Sequence, residues 1–352
     1  PIIIVAFFTT LLVFGTKIGA RVDGAMTVLK IAIVFFVVIV GFFYVKASNF
    51  TPFIPPSQPA STVEGSSAVT GVMTQPLWQF ATGMTPSVYG VPGILSGAAL
   101  VLFAFIGFDV VATASEETKN PHKNVPLGIG VGMLLIIVMY MLVAVVTTGM
   151  VSYADLAKQD SPSLATAFEL VGADWAAKII SFGIVLGLAT VVMVLLLGLT
   201  RIVFAMSRDG LLPRGLSKTG KHGTPAALQI VVGAVVALVA AFFDIGVLSD
   251  MVNIGTLSAF TLVAISIPIM RKKRPDLPRA FKMPGSPWIP ILIAVANFWL
   301  MLNLSVLTWI RFVVWLVVGF AIYFGYGYWH ARLGKGDLTE TLSAETDKAV
   351  NG

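Results

Sequence analysis

The chain has 352 residues with a formal net charge of +6, and 57% of its residues are hydrophobic while only 11% are charged. With a mean hydropathy of +0.91, this composition excludes an ordinary soluble globule and indicates an integral membrane protein. The chain has no cysteine, and its three histidines lie far apart at His122, His222 and His330, so the sequence predicts no disulfide framework, no metal site and no cofactor.

The fold class predicted from the apolar runs is an all-α polytopic membrane protein. Runs of about twenty residues are long enough to cross roughly 30 Å of hydrocarbon as helices, and they lack the period-two alternation of barrel strands. Spanning helices are predicted at about residues 1–15, 24–46, 94–115, 126–150, 175–204, 225–244, 250–270, 288–308 and 311–330. The first run follows no Met and no charged leader, so it does not resemble a signal peptide, and we expect the chain to begin inside a larger protein.

The predicted organisation is one transmembrane domain, residues 1–333, followed by a polar tail, residues 334–352, that we expect to be disordered. Residues 47–93 form the longest connection, a polar loop rich in Pro, Ser, Thr and Gly. Seventeen of the 23 Lys and Arg residues fall on one side of this topology, while four fall on the other: Lys46, Lys158, Lys178 and Arg311. The positive-inside rule makes the first side cytoplasmic, which places the long loop outside the cell membrane and the C-terminus inside.

Basic residues account for the positive charge without predicting nucleic-acid binding, because they lie between apolar runs and not along one polar face. The loop RKKRPDLPRAFKMP has a charge density that would attract anionic lipid headgroups, although enforcing topology is its simpler role. Gly210 and Pro213, in the sequence SRDGLLP, are predicted to stop the fifth helix at the cytoplasmic face.

The segment from Gly97 to Asn120 holds the main candidate for a binding site. Its apolar run contains Gly107 and then Asp109, and a carboxylate near the middle of a membrane helix usually marks a ligand, ion or proton site. Glycine is also where a membrane helix most readily unwinds, which would expose backbone carbonyls and amides to a ligand. The alternative is that Gly107 is a close helix contact and that Asp109 pairs with a neighbouring polar group.

Lys30 is the second candidate, because it lies some six residues inside the second apolar run. Its long stem would let the ammonium group reach the membrane interface, which is a purely structural explanation. The functional alternative is that a desolvated lysine gains and loses a proton during a transport cycle. Such a residue would couple transport to a proton gradient.

Several blocks of the sequence together resemble one family, the amino acid, polyamine and organocation transporters, and within it the cationic amino acid transporter branch. The blocks are GARVDGAMTVLKIAIVFFVVIVG at 19–41, NFTPFIPP at 49–56, FAFIGFDVVATASEETKNPHKNVPLGI at 103–129, GLTRIVFAMSRDGLLP at 198–213, and RPDLPRAFKMP followed by TWIRFVVWLVVGFAIYFGYG at 308–327. The resemblance implies a partial leucine-transporter-like fold, which is built from two inverted five-helix repeats and accessory helices. On that mapping the chain runs from family helix 4 to helix 12 and lacks the first three.

The resemblance also implies roles for individual residues. Phe103, Ala104, Phe105, Ile106, Gly107 and Phe108 would form the unwound part of family helix 6, where the carbonyls of Phe103, Ala104 and Ile106 receive the substrate's amino group. Asp109 would pair with a cationic side chain. Lys30 matches a lysine on family helix 5 that serves proton coupling.

The predicted function is therefore proton-coupled transport of amino acids, with arginine, lysine or ornithine as the expected substrates and protons as the coupling ion. A neutral amino acid carrier, a polyamine carrier and an exchanger that uses no protons are the alternatives within transport. A membrane amino-acid sensor is the alternative from another class, whereas an enzyme would need a nucleophile and base, or a metal, that the sequence does not offer. The sequence leaves the oligomeric state open.

Overall fold

The protein is described by a computed structural model that covers residues 2–14, 16–60, 71–108, 111, 118, 120–159, 162–218, 225–276, 283 and 285–331. These residues form an all-α, multi-pass membrane protein with nine apolar helices. They are α1 Ile2–Phe14, α2 Thr16–Phe42, α4 Gly90–Val101, α5 Pro121–Met150, α8 Asp174–Arg208, α9 Ala226–Phe242, α10 Ile245–Lys273, α11 Trp288–Leu302 and α12 Val306–Ile322. A π-helical turn, Tyr323–Gly327, and a last short helix, α13 Tyr328–His330, extend α12.

Short elements connect these helices on the side predicted to be external. The long loop contains a 3-10 turn at Ala47–Phe50, the helix α3 at Leu77–Thr82, and a two-residue antiparallel pair of strands, β1 Gln58–Pro59 and β2 Ser87–Val88. Two further helices, α6 Tyr153–Ala157 and α7 Leu164–Leu170, lie between α5 and α8.

Every predicted apolar run contains one of the nine helices, so the prediction of the fold class is confirmed. Five of the helical spans are long and apolar enough to cross a membrane: Gly24–Phe42, Lys123–Met150, Asp174–Arg208, Ile245–Lys273 and Val306–His330. Several boundaries differ from the prediction by five residues or more, including the start of α5, the end of α11 and the start of α12. The helix α2 begins at Thr16 instead of 24, α10 begins at Ile245 instead of 250, and regular α-helix in the third run ends at Val101.

The chain divides into two compact units. The first consists of Pro1–Ala25, Leu188–Phe243 and Val313–Gly352, and the second consists of Met26–Gly187 and Asp244–Phe312. Within the first unit α1 lies against α9, where a Cβ atom built at Gly233 would collide with the side chain of Thr9. Phe8 and Leu12 belong to the core of this unit, together with Leu228.

The predicted end of α8 is confirmed. The helix ends at Arg208, and Gly210 follows with a φ of +83°, a conformation that glycine adopts without strain. The hydroxyl of Ser207 donates to the carbonyl of Pro213 at 2.6 Å, which ties the helix end to the turn that follows it.

The second unit has two apolar cores. One lies between α2, α5, α7 and α8, where Phe168 and Ile180 are almost fully buried. The other lies between α4, α10 and α11, and it includes Ala99, Ile254 and Leu257. Many large apolar side chains on the helices are not covered by other protein atoms, as expected where lipid surrounds the helices.

Glycines bring α2 and α8 into close contact in the second unit. Gly183 lies so close to α2 that a Cβ atom there would collide with the side chain of Ile33. Gly187, one turn further along α8, faces the stem of Lys30. Small residues four positions apart allow helix backbones to approach in lipid, where apolar burial alone does not favour association.

We predict that Gly183→Ala destabilises the protein by about 1–3 kcal/mol, because the added methyl group overpacks this contact. Ile33→Ala should recover part of the loss, since it removes the atoms that collide. Thermal unfolding of the purified protein in detergent measures both effects.

The control is Gly132→Ala in α5, where a Cβ atom would meet no other atom within 4 Å. This change should leave the melting temperature unchanged or raise it. Equal destabilisation by the two alanine variants would contradict the proposed contact.

Candidate functional site

The third apolar helix is interrupted near the position of the predicted break. The helix α4 ends at Val101 and continues as a 3-10 turn over Leu102–Phe105. Ile106 is then extended, with φ −65° and ψ 136°, and Gly107 has a φ of +120°. L-residues rarely adopt that φ, so a glycine is required where the backbone turns. The break is therefore present at Ile106 and Gly107, whereas Phe103 to Phe105, which were predicted to be unwound, keep a 3-10 helical course.

The carbonyls around this break differ in their hydrogen bonding. The Phe103 carbonyl accepts from the backbone N–H of Ile106 at 3.3 Å. The Ala104 carbonyl accepts from the hydroxyl of Tyr140 on α5 at 2.7 Å. The carbonyl of Ile106 accepts no hydrogen bond from any residue that the structure describes. Of the three carbonyls predicted to receive an amino group, it is the one to which no described residue donates.

Aromatic rings hold the break between two neighbouring helices. The ring of Phe105 packs edge-on against Tyr140, with centroids 5.1 Å apart. The ring of Phe108 lies against Phe260 on α10, with centroids 5.3 Å apart. Phe105 and Phe108 are both half-buried, so the backbone turn lies in largely apolar surroundings. A polar ligand bound there would experience a low dielectric, which strengthens its hydrogen bonds.

Asp109, the carboxylate predicted beside the break, lies outside the described residues. Its role as a partner for a cationic side chain stays a prediction.

Lys30 lies on α2, fourteen residues after the helix begins at Thr16. Its stem runs beside Gly187, where a Cβ atom would lie 3.7 Å from the lysine Cγ and 4.0 Å from Cδ. The side chain is half-buried, and its ammonium group forms no ion pair with a described residue. The glycine thus leaves space for the lysine stem against the face of α8.

A polar cluster that the sequence reasoning missed joins the start of α10 to the start of α12. The carboxylate of Asp250 accepts a hydrogen bond from the Thr308 hydroxyl at 3.0 Å. Ser305 precedes α12 and lies 2.7 Å from the same hydroxyl, and its own oxygen accepts from the Thr308 N–H at 3.2 Å. The predicted run begins at residue 250, which is Asp250 itself. It lies five residues inside α10, where the rule applied to Asp109 would have selected it.

Asn253, one turn after Asp250, is fully buried, and neither polar atom of its side chain has a partner within the described part of the chain. A buried amide without partners costs about 1–3 kcal/mol, so this position calls for a water molecule or another polar group.

We predict that Gly107→Ala destabilises the protein by about 1–3 kcal/mol, because alanine is strained at a φ of +120°. A Cβ atom at this position would meet no atom of a described residue within 4 Å, so the expected loss comes from backbone strain. Chemical denaturation in detergent provides the measurement.

Gly128→Ala is the matched control, because Gly128 also has open space around it but lies within the regular helix α5. Alanine should be neutral or favourable there. A Gly107→Ala protein as stable as this control would show that the turn tolerates an ordinary residue.

Comparison with known proteins identifies the family. The family model described as amino acid permease matches residues 2–327. A branched-chain amino acid permease of Bacillus subtilis is 41% identical over 334 residues, which cover 95% of this chain and 64% of the relative. A methylthioribose transporter of the same organism is 37% identical over 95% of this chain and 65% of its own length. A vacuolar cationic amino acid transporter of Arabidopsis thaliana is 34% identical over 78% of this chain and 41% of its own length.

The chain thus spans less than two thirds of each of these three relatives. All three are named as permeases or transporters, and the family model covers nearly the whole chain. The chain belongs to the amino acid permease family.

Proposed function

We propose that the protein is a secondary active transporter that moves amino acids across the cell membrane by alternating access. The observation that carries this proposal is the helix break at Ile106 and Gly107, inside an apolar helix of an amino acid permease. A backbone carbonyl exposed to hydrocarbon costs several kcal/mol, so an open carbonyl at such a break favours a polar ligand. The ammonium group of an amino acid donates three hydrogen bonds and suits the Ile106 carbonyl.

Cationic amino acids are the substrates that we propose first. Asp109 lies two residues after Gly107 in the sequence and would supply the negative charge that a guanidinium or ammonium side chain needs. The relatives that are named cationic amino acid transporters support this choice, and one of them is 44% identical over 195 residues.

Branched-chain amino acids are the second candidate, and a separate observation favours them. The rings of Phe105 and Phe108 lie beside the break, where they would provide an apolar wall for an aliphatic side chain. The relative with 41% identity is named a branched-chain amino acid permease. Competition between labelled arginine and leucine separates the two substrate classes.

We propose that Lys30 couples transport to protons. Its half-buried side chain lies on an apolar helix and forms no ion pair with a described residue, and this position supports the proposal. A residue of this kind holds one conformation when charged and permits another when neutral, which is the property that a proton-driven cycle requires.

The proposed orientation places the C-terminus in the cytoplasm. Segments that the charge distribution predicts to be external meet at one end of the second unit. The backbone N–H of Lys46 donates to the Gly149 carbonyl at 2.8 Å. The backbone N–H of Leu77 donates to the Leu304 carbonyl at 3.0 Å. Their common location supports the assignment of these loops to one side of the membrane.

Uptake into proteoliposomes tests the proposed function. We expect an inward proton gradient to drive accumulation of labelled L-arginine, and excess unlabelled L-arginine to abolish it. If leucine accumulates and arginine does not, the transporter is a neutral carrier. Absence of uptake for both amino acids, with or without a gradient, would contradict the proposal.

Lys30→Met should abolish the response to the proton gradient, because the side chain keeps its length but can no longer carry a proton. Some exchange of internal for external amino acid should remain. Lys46→Met is the matched control, since Lys46 is exposed at the far end of the same apolar run. Full gradient-driven uptake by Lys30→Met would leave this lysine only a structural role.

A further inference from the structure

The second unit contains a cavity of about 700 Å³ that is separate from the helix break. We name it the Asp250 cavity. One wall consists of residues from the first three turns of α4, ending at Leu100, whereas the break begins six residues later at Ile106. Six helical residues correspond to about 9 Å along the axis. The other walls come from the 47–93 loop, the end of α5, α6, and the turn between α11 and α12.

Asp250 is the one charged residue among the described residues that line the cavity. Its Oδ2 atom accepts from the Thr308 hydroxyl at 3.0 Å, while Oδ1 accepts no hydrogen bond from a described residue. Because Thr308 uses its proton for the carboxylate, its hydroxyl oxygen is the acceptor for Ser305, 2.7 Å away. The chain of donors from Ser305 through Thr308 therefore holds the carboxyl group of Asp250 in position and leaves its second oxygen available.

A basic group that acts on this carboxylate is on α12. Arg311 lies one turn beyond Thr308 and attracts the Asp250 carboxylate electrostatically. It does not line the cavity, and it forms no ion pair with Asp250 within 4.0 Å in the described structure. The free oxygen of Asp250 thus remains available to a ligand.

Aromatic rings contribute much of the remaining wall. Tyr89 and Tyr153 pack edge-on with centroids 5.3 Å apart, and Phe50 and Phe53 also line the cavity. The negative face of an aromatic ring attracts an organic cation. The described residues that line the cavity include no Lys or Arg that would bind an anion. A single carboxylate is also too few ligands for a divalent metal, which normally takes several oxygen ligands.

We propose that the Asp250 cavity binds a small organic cation through a primary ammonium group, with Asp250 as its counter-ion and the aromatic side chains as its wall. The ammonium group can belong to an amino acid or to an amine that has no carboxylate. This inference concerns equilibrium binding at a site away from the helix break, so it does not rest on the proposed transport.

The absence of cysteine from the 352 residues permits a local test. Ser96 lines the cavity, and Ser96→Cys would place a single thiol there. We expect cadaverine, a five-carbon diamine, to slow modification of this thiol by a water-soluble methanethiosulfonate reagent in a saturable way. Glutarate, a five-carbon dicarboxylate, should give no protection.

Asp250→Asn, made in the Ser96→Cys protein, should raise the cadaverine concentration for half-protection by about tenfold or more, since it removes the charge but keeps the shape. Asp155→Asn is the control. The Ser152 hydroxyl lowers the pKa of Asp155 by donating to its carboxylate, and this charged residue lies on α6 but does not line the cavity. The control variant should retain full protection by cadaverine.

L-lysine, the carboxylated counterpart of cadaverine, distinguishes the two sources of the ammonium group. Equal protection by both compounds would show that the site binds any primary ammonium group. Stronger protection by cadaverine would show that it prefers amines that have no carboxylate. Protection by L-lysine alone would overturn the proposal, because the carboxylate would then be the recognised group. Two results in the Ser96→Cys protein would also overturn the proposal: no protection by cadaverine, or equal protection by glutarate. Neither result depends on whether the Asp250→Asn variant folds.

Discussion

The need to pair backbone hydrogen-bonding groups in hydrocarbon is the constraint on which the rest of this structure depends. An unpaired N–H or C=O group in lipid costs several kcal/mol, so the apolar runs form helices that satisfy these groups internally. The same constraint explains the surroundings of the break at Ile106 and Gly107. Tyr140 pairs with the Ala104 carbonyl, and phenylalanine rings cover the turn on two sides. The Ile106 carbonyl is then the position where a polar ligand gains the most.

The helix α4 connects the two polar sites of the second unit. Its first turns form a wall of the Asp250 cavity, and the 3-10 turn that follows it ends at the break. A cation bound beside Asp250 and an amino acid bound at the break would therefore contact the same short helical segment. The two sites use different chemistry, because one presents a side-chain carboxylate and the other presents backbone carbonyls.

The existence and order of the apolar helices could be predicted from the sequence, because the length of each apolar run reflects the thickness of the membrane. The predicted start of α2 was wrong, because residues 16–23 mix polar and apolar side chains and their local hydropathy is therefore low. The break was predicted from one glycine, Gly107, but the hydrogen bond from Tyr140 to the Ala104 carbonyl beside it was not predicted. The bonds from Tyr140 to Ala104 and from Thr308 to Asp250 join residues 36 and 58 positions apart, and no local pattern reveals such contacts.

The most direct test of the account is whether an amino acid binds at the helix break. Ile106→Cys would place a single thiol beside the proposed ligand position, and Phe43→Cys would place a control thiol at an exposed position after α2. We expect the transported amino acid to slow modification of the Ile106→Cys thiol saturably and to leave the Phe43→Cys thiol unaffected. Unchanged modification at Ile106→Cys in the presence of a saturating transported amino acid would show that the substrate binds elsewhere.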